Sequence, residues 1–185
     1  RQRRGIVKDG LFKTILYTIL GIGIMTAIMT LTSMTTPFEG VYIQFAYGYL
    51  ALFAGVAGAI PAAIVGFTGH VLFDLIYTDH LWLSWALSTG ALGFVFGFAI
   101  RRKSLRQGVF SQHDMIRFNV VQAVVNIAIF GLIAPTLDVL FYQQSTTIVF
   151  TQGWIASIVN LLTVAVFGTI TLKLYAKYKL KQNKQ

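Results

Sequence analysis

Residues 44–77 read QFAYGYLALFAGVAGAIPAAIVGFTGHVLFDLIY, an apolar block whose one charged residue at neutral pH is Asp74. The block is too long for one straight crossing of a bilayer, because about 20 helical residues already span about 30 Å of hydrocarbon. Gly55, Gly58 and Pro61 interrupt it. We divide it into helices over 44–56 and 61–77, with Pro61 in a first turn, where its missing N–H is not needed. A single broken or re-entrant helix would use the same residues. The division matters because it sets the parity of every later segment.

Parity is tested by charge. All fifteen Lys and Arg residues fall in three clusters: Arg1, Arg3, Arg4, Lys8 and Lys13; Arg101, Arg102, Lys103, Arg106 and Arg117; and Lys173, Lys177, Lys179, Lys181 and Lys184. Basic residues stay on the cytoplasmic side of membrane segments. Only an even number of crossings between clusters keeps all three on one side, and the split of 44–77 supplies it. Four of the six acids, Glu39, Asp74, Asp79 and Asp138, then lie in or near connections facing outward.

Working outward from the block, a first span covers 11–33 and ends before Pro37 and Gly40, which break helices. It is longer than a signal-peptide core and lacks a small-x-small cleavage site, so it reads as a retained helix. Further spans cover 82–100, 115–134 and 151–174, with a long connection over 136–150 that is functional or partly helical. The expectation is an all-α polytopic membrane protein, a single domain over 1–185 with six transmembrane helices and cytoplasmic N and C termini. A chain that is 56% hydrophobic and 11% charged suits a bilayer. Its net charge of +9 is spread among segment ends, whereas nucleic-acid binding needs basic groups gathered on one wet face. Nucleic acid is therefore excluded as a partner. Zero cysteines exclude disulfides, and three His residues without Cys argue against a metal centre. No phosphate loop, H-E-x-x-H or G-x-S-x-G motif is present, so neither a cofactor nor catalysis is specified.

Chemistry concentrates on the third span. Ala62, Gly66, His70 and Asp74 recur every four residues and share a helical face. Small residues on its inner half permit close packing, and ionisable groups at membrane depth are by default functional. The plainer reading is that His70 and Asp74 only bond to each other and seal the bundle. Trp82 and Trp85 follow on the fourth span: Trp82 suits an interfacial belt or, beside Trp85, a place in the substrate site, and Trp85, about one turn deeper, suits stacking on a flat ligand. Trp154 reads as belt or packing. Gln44, Gln122, Asn126 and Asn160 are further polar groups in apolar spans. Singly each reads as interhelical glue; together with His70, Asp74 and Trp85 they outline a polar pocket in the outer half. Such a pocket suits a neutral or weakly basic heterocycle, since no Lys or Arg can reach it. On the first span Gly23 and Ala27 form a small-x-x-x-small pair, and on the fourth Ala86, Gly90, Gly93 and Gly97 form a smooth stripe. Both motifs serve packing inside the bundle or against a partner.

Three segments then carry a resemblance: Gln44 with YGYLALF over 47–53, GFTGHVLFD over 66–74, and WLSWALSTG over 82–90. They resemble the substrate-binding S-components of energy-coupling factor (ECF) vitamin transporters, closest to the group labelled riboflavin-type or hydroxymethylpyrimidine-type. The resemblance runs from the first helix to the sixth. It implies capture of a small heterocyclic vitamin, hydroxymethylpyrimidine or a pyridoxine-like compound before riboflavin, at the plasma membrane of a prokaryote. It also implies a transmembrane coupling protein (T-component) and two ABC ATPase subunits as partners, with Gly23 and Ala27 in place of the family's Ala-x-x-x-Ala docking pair. The family's gating loops would correspond to 34–40 and to the connection before the fourth span. Two readings from other classes stay open beside it: a membrane-embedded enzyme using His70 and Asp74 as an acid and base, and an accessory subunit that binds no solute.

Overall fold

The block over 44–77 folds back on itself. In the computed structural model, which describes residues 2–185 with side chains from residue 10 onward, helix α2 (Ala46–Ala57) and helix α3 (Ala59–Phe73) are separated only by Gly58. Gly58 has φ 100°, a conformation open to glycine and strained for other residues. The two helices run antiparallel, with Leu50 of α2 against Gly66 of α3. A straight helix would hold Gln44 and Asp74 about 45 Å apart, yet both line one cavity.

Around this hairpin stand four other rods. Helix α1 (Gln2–Thr32) lies parallel to α3, with Gly21 beside Val65 and the Thr26 hydroxyl 3.5 Å from the Gly69 carbonyl, to which it donates. Helix α4 (Leu83–Ala99) packs closely on α3, because Gly90, Gly93 and Gly97 bring their backbone against Ala63, Ala62 and Ala59. The small stripe of the fourth span is thus internal. A short helix α5 (Arg102–Arg106) follows. The fifth rod comprises α6 (Gln112–Ala128), a π-helical turn (Ile129–Ile133) and α7 (Ala134–Tyr142); Ser111 and Asp114 start it with a reciprocal capping box. The sixth comprises α8 (Thr146–Thr163), a second π-helical turn (Val164–Gly168) and α9 (Thr169–Gln182). A further π-helical turn, Asp74–Thr78, continues α3. Between α1 and α2 the strand β1 (Met34–Thr35) pairs antiparallel with β2 (Tyr42–Ile43), where a bare loop was expected.

Two sequence expectations change. The fifth helix does not stop at Pro135: the π-helical turn before it supplies an altered backbone, and the helix runs on to Tyr142. The connection expected over 136–150 accordingly shrinks to 143–145, with Gln143 left-handed at φ 51°.

By length and composition four helices are able to cross a membrane: Gly10–Thr32, Ala59–Thr78, Gln112–Tyr142 and Thr146–Gln182. Ala46–Ala57 and Leu83–Ala99 are shorter. Eight of the 12 residues of α2 are buried, so this short helix is shielded by protein over most of its surface. Outward-facing apolar side chains are abundant, with Phe12, Leu31, Ile60, Phe98, Val124 and Leu140 all more than 60% exposed. A surface this apolar belongs against lipid. The protein is an all-α membrane protein.

The basic regions gather at one end. Arg102 and Arg106 both donate to the Val56 carbonyl, at 3.1 and 2.9 Å, and so cap the turn between α2 and α3 that carries no Lys or Arg of its own. Gly108 presses on the backbone of Leu180, which brings the Lys-rich end of α9 alongside. The parallel α1–α3 pairing puts the start of α1 at the same end. Of its cluster, Arg1 and the side chains of Arg3, Arg4 and Lys8 lie outside the described residues.

Candidate functional site

At the opposite end the helices part around a cavity of about 470 Å³, within the usual range of roughly 300–1,000 Å³ for small-ligand sites. The hairpin β1–β2 covers it from one side. Its loop is braced by the Thr36 hydroxyl, which donates to the Val41 carbonyl at 2.8 Å, and is tied to α8 by Gln152, whose Nε2 donates to the Glu39 carbonyl at 2.8 Å. Gln44 Nε2 donates to the Ser33 hydroxyl at 3.0 Å and closes the base of the hairpin. Tyr42 sets its ring edge-on to Phe73 and Tyr77, at 6.1 and 5.8 Å between centroids. Burial, then the neighbouring Tyr77, Asp74 and Glu39, raises the Tyr42 phenol above its ordinary pKa, so it stays a hydrogen-bond donor at neutral pH.

The polar wall comes from α3 and α4. His70 is buried, its Nδ1 2.7 Å from the Thr89 hydroxyl and its Nε2 3.5 Å from Asp74 Oδ1. With the Thr89 hydroxyl proton on the Trp85 carbonyl, at 3.0 Å, Thr89 would accept from His70 Nδ1–H. Nε2 would then face a carboxylate with a lone pair, unless one further proton lies between His70 and Asp74. The other oxygen of Asp74 accepts the Trp82 backbone N–H at 2.9 Å. Three carboxylates line the cavity, from Glu39, Asp74 and Asp138, and among the described residues no Lys or Arg does. No group of three or more metal-ligating side chains occurs among the described residues either.

Of the residues singled out in the sequence, Gln44, His70, Asp74, Trp82, Trp85 and Asn160 line the cavity. Gln122 and Asn126 do not. They face α8 and each other: Gln122 Nε2 donates to the Leu161 carbonyl at 3.2 Å, and Asn126 Nδ2 to Gln122 Oε1 at 3.0 Å. Their hydrogen bonds run within α6 and across to α8 rather than to the cavity lining. Trp154 is 44% exposed, its ring beside Gly131, and stays out of the site. Gly23 and Ala27 are exposed on α1, and a Cβ at Gly23 would meet no described atom within 4 Å. They do not pack inside the bundle.

Sequence reasoning missed Tyr47, Gln152 and Asp138 in the cavity lining. Asp138, expected in or near an outward connection, is helical and 2% exposed. A signal existed: Gln122, Asn126, Phe130, Ala134 and Asp138 continue one four-residue spacing, and ending the helix at Pro135 cut it short. For Tyr47 and Gln152 no comparable signal is present.

Comparison with known proteins agrees with this architecture. The family described as "ECF-type riboflavin transporter, S component" matches residues 12–177. A "UPF0397 protein" of Lactococcus lactis subsp. cremoris is 40% identical over 175 residues, covering 95% of this chain and 93% of the relative. Proteins of the same description from Enterococcus faecalis and Clostridium perfringens are 37% and 36% identical, each covering 89% of this chain and 92% and 91% of the relative. No solved structure matches. The chain belongs to the family of ECF-type riboflavin transporter S components, and is a membrane-embedded, substrate-binding subunit of a vitamin transporter rather than an enzyme.

Proposed function

We propose that this S component captures a small, uncharged or weakly basic heterocycle from outside the cell, with hydroxymethylpyrimidine or a pyridoxine-like compound as first choice and riboflavin as second. The observation that carries this is the lining: aromatic walls and three carboxylates with no cation among the described residues. A phosphate or carboxylate on the ligand would meet only like charge there, and an uncompensated buried charge is costly. A ring nitrogen or amino group would find acceptors in Asp74 and partners in Gln44 and Asn160, with Trp85 as the stacking surface. Trp82 closes the rim.

The orientation we propose has six crossings, with both termini and all three basic clusters cytoplasmic, in the plasma membrane of a prokaryote. The cavity then faces the exterior and the hairpin over 34–43 acts as its cover. Release inward would be driven by two ABC ATPases through a transmembrane coupling protein. The exposed Gly23–Ala27 stripe of α1 supports docking there, since it offers a flat, unoccupied helical face to another membrane helix. Native mass spectrometry of the protein purified from rich medium tests the reading: a bound mass matching a non-phosphorylated heterocyclic vitamin is expected. A phosphorylated or purely anionic ligand would overturn it.

A further inference from the structure

Asp138 lies on α7, beyond the π-helical turn of the fifth rod, and its carboxylate is engaged by the first turn of α4. Oδ1 accepts from the Ser84 hydroxyl, and Oδ2 accepts the Trp85 indole N–H at 2.8 Å. One turn further along α7, the Tyr142 hydroxyl accepts the Leu83 backbone N–H at 3.0 Å. The same rod also supplies the surface behind the indole: Phe130 lies 5.7 Å from Trp85 between centroids, tilted by 32°. The Trp85 ring is therefore held at two places, by its flat face on Phe130 and by its polar edge on Asp138. An indole leaning on Phe130 alone keeps more than one staggered arrangement. A hydrogen bond from the indole N–H to a buried acceptor oxygen selects one of them, because leaving that buried donor unpaired is costly.

We infer that Asp138 is a positioning residue: it fixes the plane of the Trp85 indole as the aromatic wall of the cavity and acts on a bound solute through that ring. Both of its oxygens are already occupied by donors of α4, which separates its role from that of Asp74, whose Oδ1 has only the longer 3.5 Å contact with His70. The assignment rests on the proposal above that a flat solute binds against Trp85.

The test uses the full chain with four variants: Asp138→Asn, which keeps an acceptor oxygen; Asp138→Leu, which keeps none; Trp85→Phe, which removes the indole N–H; and the double variant Asp138→Leu/Trp85→Phe. Near-ultraviolet circular dichroism without ligand should lose the Trp85 band in Asp138→Leu as it does in Trp85→Phe, and keep it in Asp138→Asn. Hydroxymethylpyrimidine, pyridoxine and riboflavin are titrated as separate probes. For whichever probe binds, Asp138→Leu and Trp85→Phe should each weaken binding about tenfold. The double variant should be no more than about twofold worse than either single, since residues acting through one contact are not additive. Asp138→Asn failing as badly as Asp138→Leu would mean that the charge itself meets the solute, and additive losses would mean that Asp138 and Trp85 act separately. Either result overturns the assignment. Where Asp138→Leu does not fold, Asp138→Asn placed in the Trp85→Phe background serves instead, and any further loss of affinity counts against it. Binding that is unchanged in Trp85→Phe, or absent from the parent protein for all three probes, would remove the stacking reading. The ligand-free dichroism would still decide whether Asp138 holds Trp85.

Discussion

His70 and Asp74 on the third rod and Gln122 and Asn126 on the fifth are both polar i, i+4 pairs in apolar helices, yet the first pair lines a cavity and the second is closed in by α8. Spacing is the same and burial is similar, with all four residues at most 6% exposed. The difference lies in their neighbours. His70 and Asp74 face the end of the bundle where α2, α4, α7 and α8 stand apart beneath the hairpin. Gln122 bonds the backbone of α8, Asn126 bonds Gln122, and neither lines the cavity. Polar groups inside a membrane protein thus divide by what stands opposite them, and the ionisable pair is the one given an open side.

The sharpest way to break this comparison is Asp74→Ala, which should weaken vitamin binding about 30-fold or more, since truncating one partner of a buried charged contact is costly. Titration of the purified protein measures it, and unchanged affinity would show that the His70–Asp74 pair only seals the bundle. Next in size, a Trp in place of Ala27 should weaken assembly with the coupling protein about tenfold or more by overfilling the exposed stripe. Ligand affinity should stay as it is, so both polar pairs remain intact while the outer face of α1 is tested by co-purification. Assembly at parental level would place docking elsewhere.

A smaller effect is expected at the cover. Gln152→Ala removes the bond from α8 to the Glu39 carbonyl, one hydrogen bond of about 1 kcal/mol, and should speed ligand release about fivefold in stopped-flow displacement. Release at the parental rate would leave the hairpin without a latch at Gln152. The smallest change belongs to the other half of the comparison. Replacing Gln122 by Leu should alter thermal stability by only about 0.6 kcal/mol for the lost interhelical bond to Leu161, with solute affinity untouched. A marked loss of affinity in that variant would erase the distinction between the two pairs.

Much of this was legible in the residues. Arg101, Arg102 and Lys103 announced a membrane boundary, and Ala62, Gly66, His70 and Asp74 announced an inward face. What the four-residue spacing also carried, and reading by ordinary helical geometry missed, is the π-helical turn. An α-helix of 3.6 residues per turn rotates by about 40° at every four-residue step, so a long stripe of this spacing drifts off its face. Gln122 to Asp138 makes four such steps, and Asn160, Val164, Gly168, Leu172 and Ala176 make four more, all buried. Each stripe contains a π-helical turn, whose wider i→i+5 geometry takes up the drift. Pro135 looked like a helix end because its missing N–H breaks regular α-helical bonding. Next to a π-helical turn it is accommodated instead.

The sequence by itself determined that the chain lives in a bilayer, that its basic ends lie together, and which face of the third helix turns inward, because these follow from composition, charge placement and periodicity along one segment. Only the tertiary structure decided which polar groups share a cavity, that Gln122 and Asn126 are outside it, and that Asp138 holds an indole 53 positions away in the chain. The physical reason is that enclosure and hydrogen bonding between distant segments depend on how closely helices approach, and that distance is set by packing among all six rods, which no single segment encodes.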